Sequence, residues 1–230
     1  MDRITSIISS LEKEYQGATC ELNFRNNYEL IVAVILSAQC TDKRVNEVTP
    51  KLFSVCPDFN SLSEVDIRVL EELIRSCGFF RSKAKNLKAM ASEVCKNFGG
   101  VLPTEKRDLL SLAGVGEKTA NVIVAEAYKI PAIAVDTHVF RVSNRLGLAR
   151  AKNVMRTQKQ LEKNLPKEKW ILLHHALILH GRYVCKAIRP NCEDCNMKKY
   201  CRHYEEKVLP TLASSTGVAF KKIIKRQSKR

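Results

Sequence analysis

The sequence predicts an all-α protein, and three observations carry that prediction. Apolar residues recur at the three-, four- and seven-residue spacing of a helix face along most of the chain. Helix start and stop residues fall where those periodic runs begin and end. The one stretch β-branched enough to pass for a strand, IVAVIL at 31–36, is flanked by further apolar positions that lengthen it to a helix. About ten helices follow.

Taken in order, Ile4, Ile7, Ile8, Leu11 and Tyr15 mark one face of an N-terminal helix. The 31–36 run reads as a helix buried on all sides. Ser61 and Glu64 have the spacing of a capping box, and Leu70, Leu73, Ile74 and Cys77 form the next apolar face. Gly78, the Gly99–Gly100 pair and Gly147 stand at helix ends, Thr104 precedes an acidic first turn, and Pro166 suits a first helical position. From about residue 206 to 230 the chain turns to Lys, Ser and Thr, and a basic, disordered tail is expected there.

Charge narrows the partners. Lys and Arg outnumber Asp and Glu by 39 to 24, a net charge of +15. Residues 207–230 hold seven of those cations and no acid, so the preceding 206 residues remain basic at +8. A polyanion, nucleic acid or an anionic surface, is the expected partner. No apolar run approaches the roughly 18 residues of a membrane span, and the first 15 residues lack the continuous apolar core of a signal peptide. A soluble intracellular protein with reduced cysteines is expected. Of nine cysteines, Cys20, Cys40, Cys56, Cys77 and Cys95 are scattered without ligand spacing, as small core residues are.

Chemistry concentrates in two places. In LAGVGEKTA, residues 112–120, two glycines between helical patterns make a tight interhelical turn. Its amides, at Gly114, Val115 and Gly116, together with the next helix N-terminus, offer a phosphate site; an ordinary helix turn is the bland reading. Lys118 lies in the first turn of that helix, where the dipole disfavours a cation and so favours a neutral, nucleophilic amine, although most lysines are solvated surface groups. Asp136 follows the apolar IPAIAV and precedes a new helical pattern, a natural N-cap that could also serve a substrate. The second place is CKAIRPNCEDCNMKKYC, residues 185–201, with the spacing C-x6-C-x2-C-x5-C. Four thiolates so spaced suit either tetrahedral zinc or an iron–sulfur cluster.

LAGVGEKTA followed by VDTH at 135–138, SAQCTD at 37–42, HHALILHGRYVC at 174–185 and the four-cysteine loop together resemble the endonuclease III family of helix-hairpin-helix DNA glycosylases and abasic-site lyases, from about residue 3 to 205. The resemblance implies two helical domains with the active site in the cleft between them: a six-helix domain with the hairpin, residues 20–130, and an iron–sulfur domain, residues 1–19 with 131–205. It implies base excision repair of oxidised pyrimidines in duplex DNA and cleavage 3′ to the abasic site. Lys118 is then the Schiff-base nucleophile and Asp136 the carboxylate that stabilises the sugar cation. Gln39 fills the gap left by the everted nucleotide, Phe79 falls at the apolar wedge with the adjacent Phe80 as its alternative, and Asp42 and His138 line the lesion pocket. Cys185, Cys192, Cys195 and Cys201 hold a [4Fe-4S] cluster in a loop whose Lys186 and Arg189 meet the DNA backbone.

Two alternatives stand beside this reading. One is a monofunctional mismatch glycosylase, which the presence of Lys118 disfavours. The other is a DNA-binding iron–sulfur protein without chemistry. The chain departs from the family pattern at Ala113, where the hairpin has proline, which loosens the turn. A monomer acting in the cytoplasm, at the nucleoid in a prokaryote, is expected.

Overall fold

Eleven α-helices and no strands make up the described part of the chain, residues 2–211 of the computed structural model. They divide into two compact units, residues 19–134 and residues 1–18 with 135–230. The first division falls beside the expected boundary, and the second lies four residues beyond it.

In the unit 19–134 the helices are α2 (Asn27–Ser37), α3 (Asp42–Val55), α4 (Phe59–Glu64), α5 (Ile67–Leu73), α6 (Phe80–Phe98), α7 (Lys106–Ser111) and α8 (Glu117–Tyr128). Helix α2 contains the IVAVIL run, and every residue from Tyr28 to Leu36 is buried. A helix apolar on all faces has to be surrounded. Packing against α3, α6 and α8 does so. Each fully buried Leu or Ile contributes roughly 1.5–3 kcal/mol of transfer free energy, so α2 is the main stabilising element of this unit. Its polar groups are satisfied: Asn26 caps it through the Glu29 N–H, and the Tyr28 hydroxyl donates to the Cys56 carbonyl at 2.6 Å.

Several start signals sit elsewhere than expected. The capping box at α4 is Asp58 with Ser61, not Ser61 with Glu64, because the chain enters the helix at Phe59 and a box reaches only three residues forward. Helix α7 begins at Lys106 with Glu105 at its N-cap and no side-chain cap bond, so Thr104 does not cap it. At α3 the cap is Thr41, whose hydroxyl accepts from the Arg44 N–H at 3.2 Å, and Asp42 is the first helical residue. The stop signals at Gly99 and Gly100 hold, both left-handed after α6.

The unit formed by 1–18 and 135–230 contains α1 (Arg3–Glu14), α9 (Thr137–Leu146), α10 (Val154–Asn164) and α11 (Trp170–Tyr183). Ile7, Ile8 and Leu11 of α1 are buried and the helix packs on α11, which also packs on α9. The crossing of α9 and α11 is close: a Cβ built on Gly181 would fall 2.9 Å from the His138 Cβ, so only glycine fits there. Pro166 precedes a single 3₁₀ turn, Lys167–Lys169, that leads into α11. A second 3₁₀ turn spans Lys198–Tyr200, and a π-helical turn spans Tyr204–Val208. Residues 206–211, assigned in advance to the tail, are therefore helical here, and the tail beyond them lies outside the described residues.

Candidate active site and cysteine pocket

The hairpin joins α7 to α8 through Leu112–Gly116. Gly114 is left-handed at φ +80°, and its missing side chain leaves room for Asn86, whose Cβ would be 3.1 Å from an added one. Gly116 does not use a glycine's conformational freedom: at φ −98° and ψ 179° it is extended, a conformation open to any residue, with open space beside it. As the N-cap of α8 it supplies no side-chain bond, so the first amides of the helix face outward uncapped. Ala113 has an N–H that proline would lack, and it donates to the Glu93 carboxylate at 2.9 Å. The turn that the missing proline should loosen is thus fastened from α6.

Lys118 is exposed in the first turn of α8. Gln39 and Phe79, in the same unit, are exposed and share a feature the sequence does not announce: both are non-glycine residues in the left-handed region, at φ 51° and φ 57°. Such backbone costs on the order of 1–3 kcal/mol and persists where surrounding structure enforces it. Phe79 is 67% exposed, whereas Phe80 packs against the core and under the Arg81 guanidinium. Of the two, only Phe79 projects as a wedge would. Asp42 is half-buried at the start of α3.

In the other unit Asp136 caps α9, accepting from the Val139 N–H at 2.7 Å. His138 follows one residue into the helix, with its Nδ1 3.1 Å from the Arg141 guanidinium. Arg141 and Arg145, one turn apart on α9, hold the start of the cysteine loop. Arg141 donates to the Gly181 and Cys185 carbonyls at 2.9 and 3.0 Å, and Arg145 to those of Lys186 and Ala187 at 2.7 and 3.0 Å. With its backbone so held, the loop presents Lys186 and Arg189 to solvent, Arg189 at φ 50°. No sequence pattern singles out either arginine, because their contacts with the loop lie 40 or more residues away in the chain.

Cys185, Cys192, Cys195 and Cys201 line one pocket, together with Leu146, Val184 and Pro190. They form its wall rather than meeting at a point, and among the described residues no three metal-ligating side chains converge as a lone ion would need. Burial pushes the Cys195 thiol up to about 11 and the Cys192 and Cys201 thiols up as well, so a bound cationic group is what would sustain thiolates here. Two side chains already face the sulfurs: an Arg145 N–H donates to Cys185 Sγ at 3.5 Å, and His180 Nε2 is 3.7 Å from Cys195 Sγ. Burial holds the His180 imidazole near 4, hence neutral, and its Nδ1 lies 2.9 Å from the Tyr15 hydroxyl of α1. His180 is packed in the core, where it bonds to a tyrosine side chain and faces a cysteine.

An all-helical chain with a hairpin, a lysine behind it and a four-cysteine pocket belongs to the class of helix-hairpin-helix DNA repair proteins. A model of the HhH-GPD superfamily, base excision DNA repair proteins, matches residues 32–167. The chain is 46% identical over 200 residues to endonuclease III of Synechocystis sp., covering 86% of this chain and 91% of that relative. It is 42% identical to endonuclease III of Bacillus subtilis, over 90% of this chain and 95% of the relative. A solved structure of a trapped covalent intermediate of endonuclease III with DNA superposes at a TM-score of 0.86, with 41% identity over 90% of this chain and 99% of that one. A thermostable thymine-DNA glycosylase, 23% identical at a TM-score of 0.81, shares the fold. The chain therefore belongs to the endonuclease III family, and it is a base-excision-repair DNA glycosylase with abasic-site lyase activity.

Proposed function

We propose that the protein excises oxidised pyrimidines of the thymine-glycol type from duplex DNA and then nicks the strand 3′ to the abasic site through a Lys118 Schiff base. The observation that carries this reading is an exposed lysine in the first turn of the helix behind the hairpin. Its neutral amine attacks C1′ of the damaged nucleotide and the glycosidic bond breaks, the base leaving with a proton. The C1′–O4′ bond then breaks, opening the sugar ring as O4′ takes a proton, and the nitrogen becomes doubly bonded to C1′; a C2′ proton is lost, and the 3′ phosphate departs. Water or a hydroxyl can hydrolyse the glycosidic bond but cannot form the imine, which favours this chemistry over a monofunctional mismatch glycosylase. Asp136, as a carboxylate, stabilises the positive charge that develops on the sugar. The reading requires Lys118 and Asp136 to meet the same nucleotide.

That nucleotide has to leave the stack, at a cost of a few kcal/mol that damage lowers. Gln39 and Phe79 fill the duplex behind it, a role that their exposure and enforced backbone angles support. Asp42 and His138 line the lesion pocket. The amides of Gly114, Val115 and Gly116, with the uncapped start of α8, bind one phosphate, and Lys186 and Arg189 bind others. Cys185, Cys192, Cys195 and Cys201 hold a [4Fe-4S] cluster, whose part is to fix the loop that carries those cations. Wall-lining thiols suit a group that itself has width, whereas one zinc needs every sulfur about 2.3 Å from a single point. The protein acts as a monomer in the cytoplasm, at the nucleoid in a prokaryote; no helix among the described residues is long and apolar enough to cross a membrane.

The test is incision of a thymine-glycol duplex by a preparation assayed for metal. The reading expects a β-elimination end at the lesion and iron rather than zinc. Release of the base without a nick would return the protein to the monofunctional class.

A further inference from the structure

The segments that carry Gln39 and Phe79 touch at a place the repair chemistry does not use. A Cβ built on Gly78 would lie 3.1 Å from the Gln39 carbonyl oxygen, so the backbones of the two turns are against one another. The residues flanking that contact are Cys40 and Cys77. Cys77 is 1% exposed and belongs to the core, whereas Cys40 is half-buried and open on one side. The two thiols are neighbours, and burial and the adjacent Cys40 both favour the protonated form of Cys77. The cations of Lys83 and Arg44 oppose those effects, favouring the thiolate of Cys77. That leaves Cys40 as the more accessible thiol of the two. Lys83 is buried, with its Nζ donating to the Leu36 carbonyl at 2.8 Å.

We propose that Cys40 and Cys77 are a peroxide-oxidisable thiol pair, closing to a disulfide that ties the Gln39 turn to the Phe79 turn. Cys40, as thiolate, attacks a peroxide oxygen; the O–O bond breaks, and Cys40 becomes a sulfenic acid as the first water leaves. Cys77 then attacks that sulfur, the S–O bond breaks, and a second water departs. Two thiols lose two electrons to one peroxide. A thiol so used inside a reducing cell is a switch rather than a staple. The consequence for DNA rests on the roles proposed above for Gln39 and Phe79: turns fixed to each other cannot part to enter a duplex, so the oxidised form holds lesion DNA less tightly.

The experiment treats the full-length holoprotein with hydrogen peroxide and maps tryptic peptides. Residues 26–43 and 76–81 each contain one cysteine, Cys40 and Cys77. The expected product is those two peptides joined, two hydrogens lighter than their sum, released by dithiothreitol and missing from Cys40→Ser given the same dose. In Cys77→Ala, dimedone should label peptide 26–43. Recovery of both peptides as unjoined thiols, or joined to the 185–201 cysteines instead, overturns the proposal. The joined protein should bind an abasic-site duplex about tenfold more weakly than the reduced one; equal binding overturns the link to DNA. Failure of the reduced protein to bind that duplex would count against the functional reading, and the peptide map would still decide the thiol pair.

Discussion

Gly114 and Gly116 stand two residues apart in the hairpin and are held there for different reasons. Gly114 needs its left-handed angle and its lack of a side chain against Asn86. Gly114→Ala should cost about 1–2 kcal/mol from the backbone alone, with the Asn86 contact adding to it. Gly116 is extended and faces open space, so Gly116→Ala should stay within about 0.5 kcal/mol in a urea melt. The same substitution should still weaken DNA binding, because a methyl would stand where a phosphate approaches the α8 amides. Equal destabilisation by the two would contradict the account. The pattern G-x-G was legible in the sequence, but the division of labour was not, since it depends on a neighbour 28 residues earlier. The compensation at Ala113 was illegible for the same reason: Glu93 lies 20 residues back on α6, and no local rule links it to the turn.

Helix ends show how far local signals reach. At α6 and α9 the stopping and capping residues stand where the pattern placed them, since Gly99 and Asp136 act within one turn of their own helix. At α4 two boxes were available three residues apart, and the entry of the chain at Phe59 chose Asp58 with Ser61. Bonds from Ser61 hold the Asp58 carboxyl below its ordinary value of 3.8. A group whose folded value is depressed stabilises the fold above its unfolded value, and that contribution is lost as pH falls through the depressed one. Asp58→Ala should therefore lower stability by about 1 kcal/mol near neutrality. The gap between variant and native melting temperatures should shrink on acidification from about pH 5 to 3; a gap independent of pH would show that the charge has no part in the cap.

At the scale of the whole molecule, the all-α class, the buried α2 and the hairpin were readable from periodicity and glycine placement, which are properties of single elements. The cysteine loop was readable as a ligand set, whereas the side chains that face it, Arg145 from α9 and His180 from α11, come together only through packing. Exposure also separated Phe79 from Phe80, which no pattern could do. What the family supplies is the enzyme class; which atom does the chemistry is a statement about this chain. The most direct measurement is borohydride trapping on a thymine-glycol duplex, with the product digested to locate the attachment. The account predicts a covalent protein–DNA adduct carried on Lys118 and none with Lys118→Ala. Equal trapping by the native and variant proteins, or attachment at another amine, would contradict it.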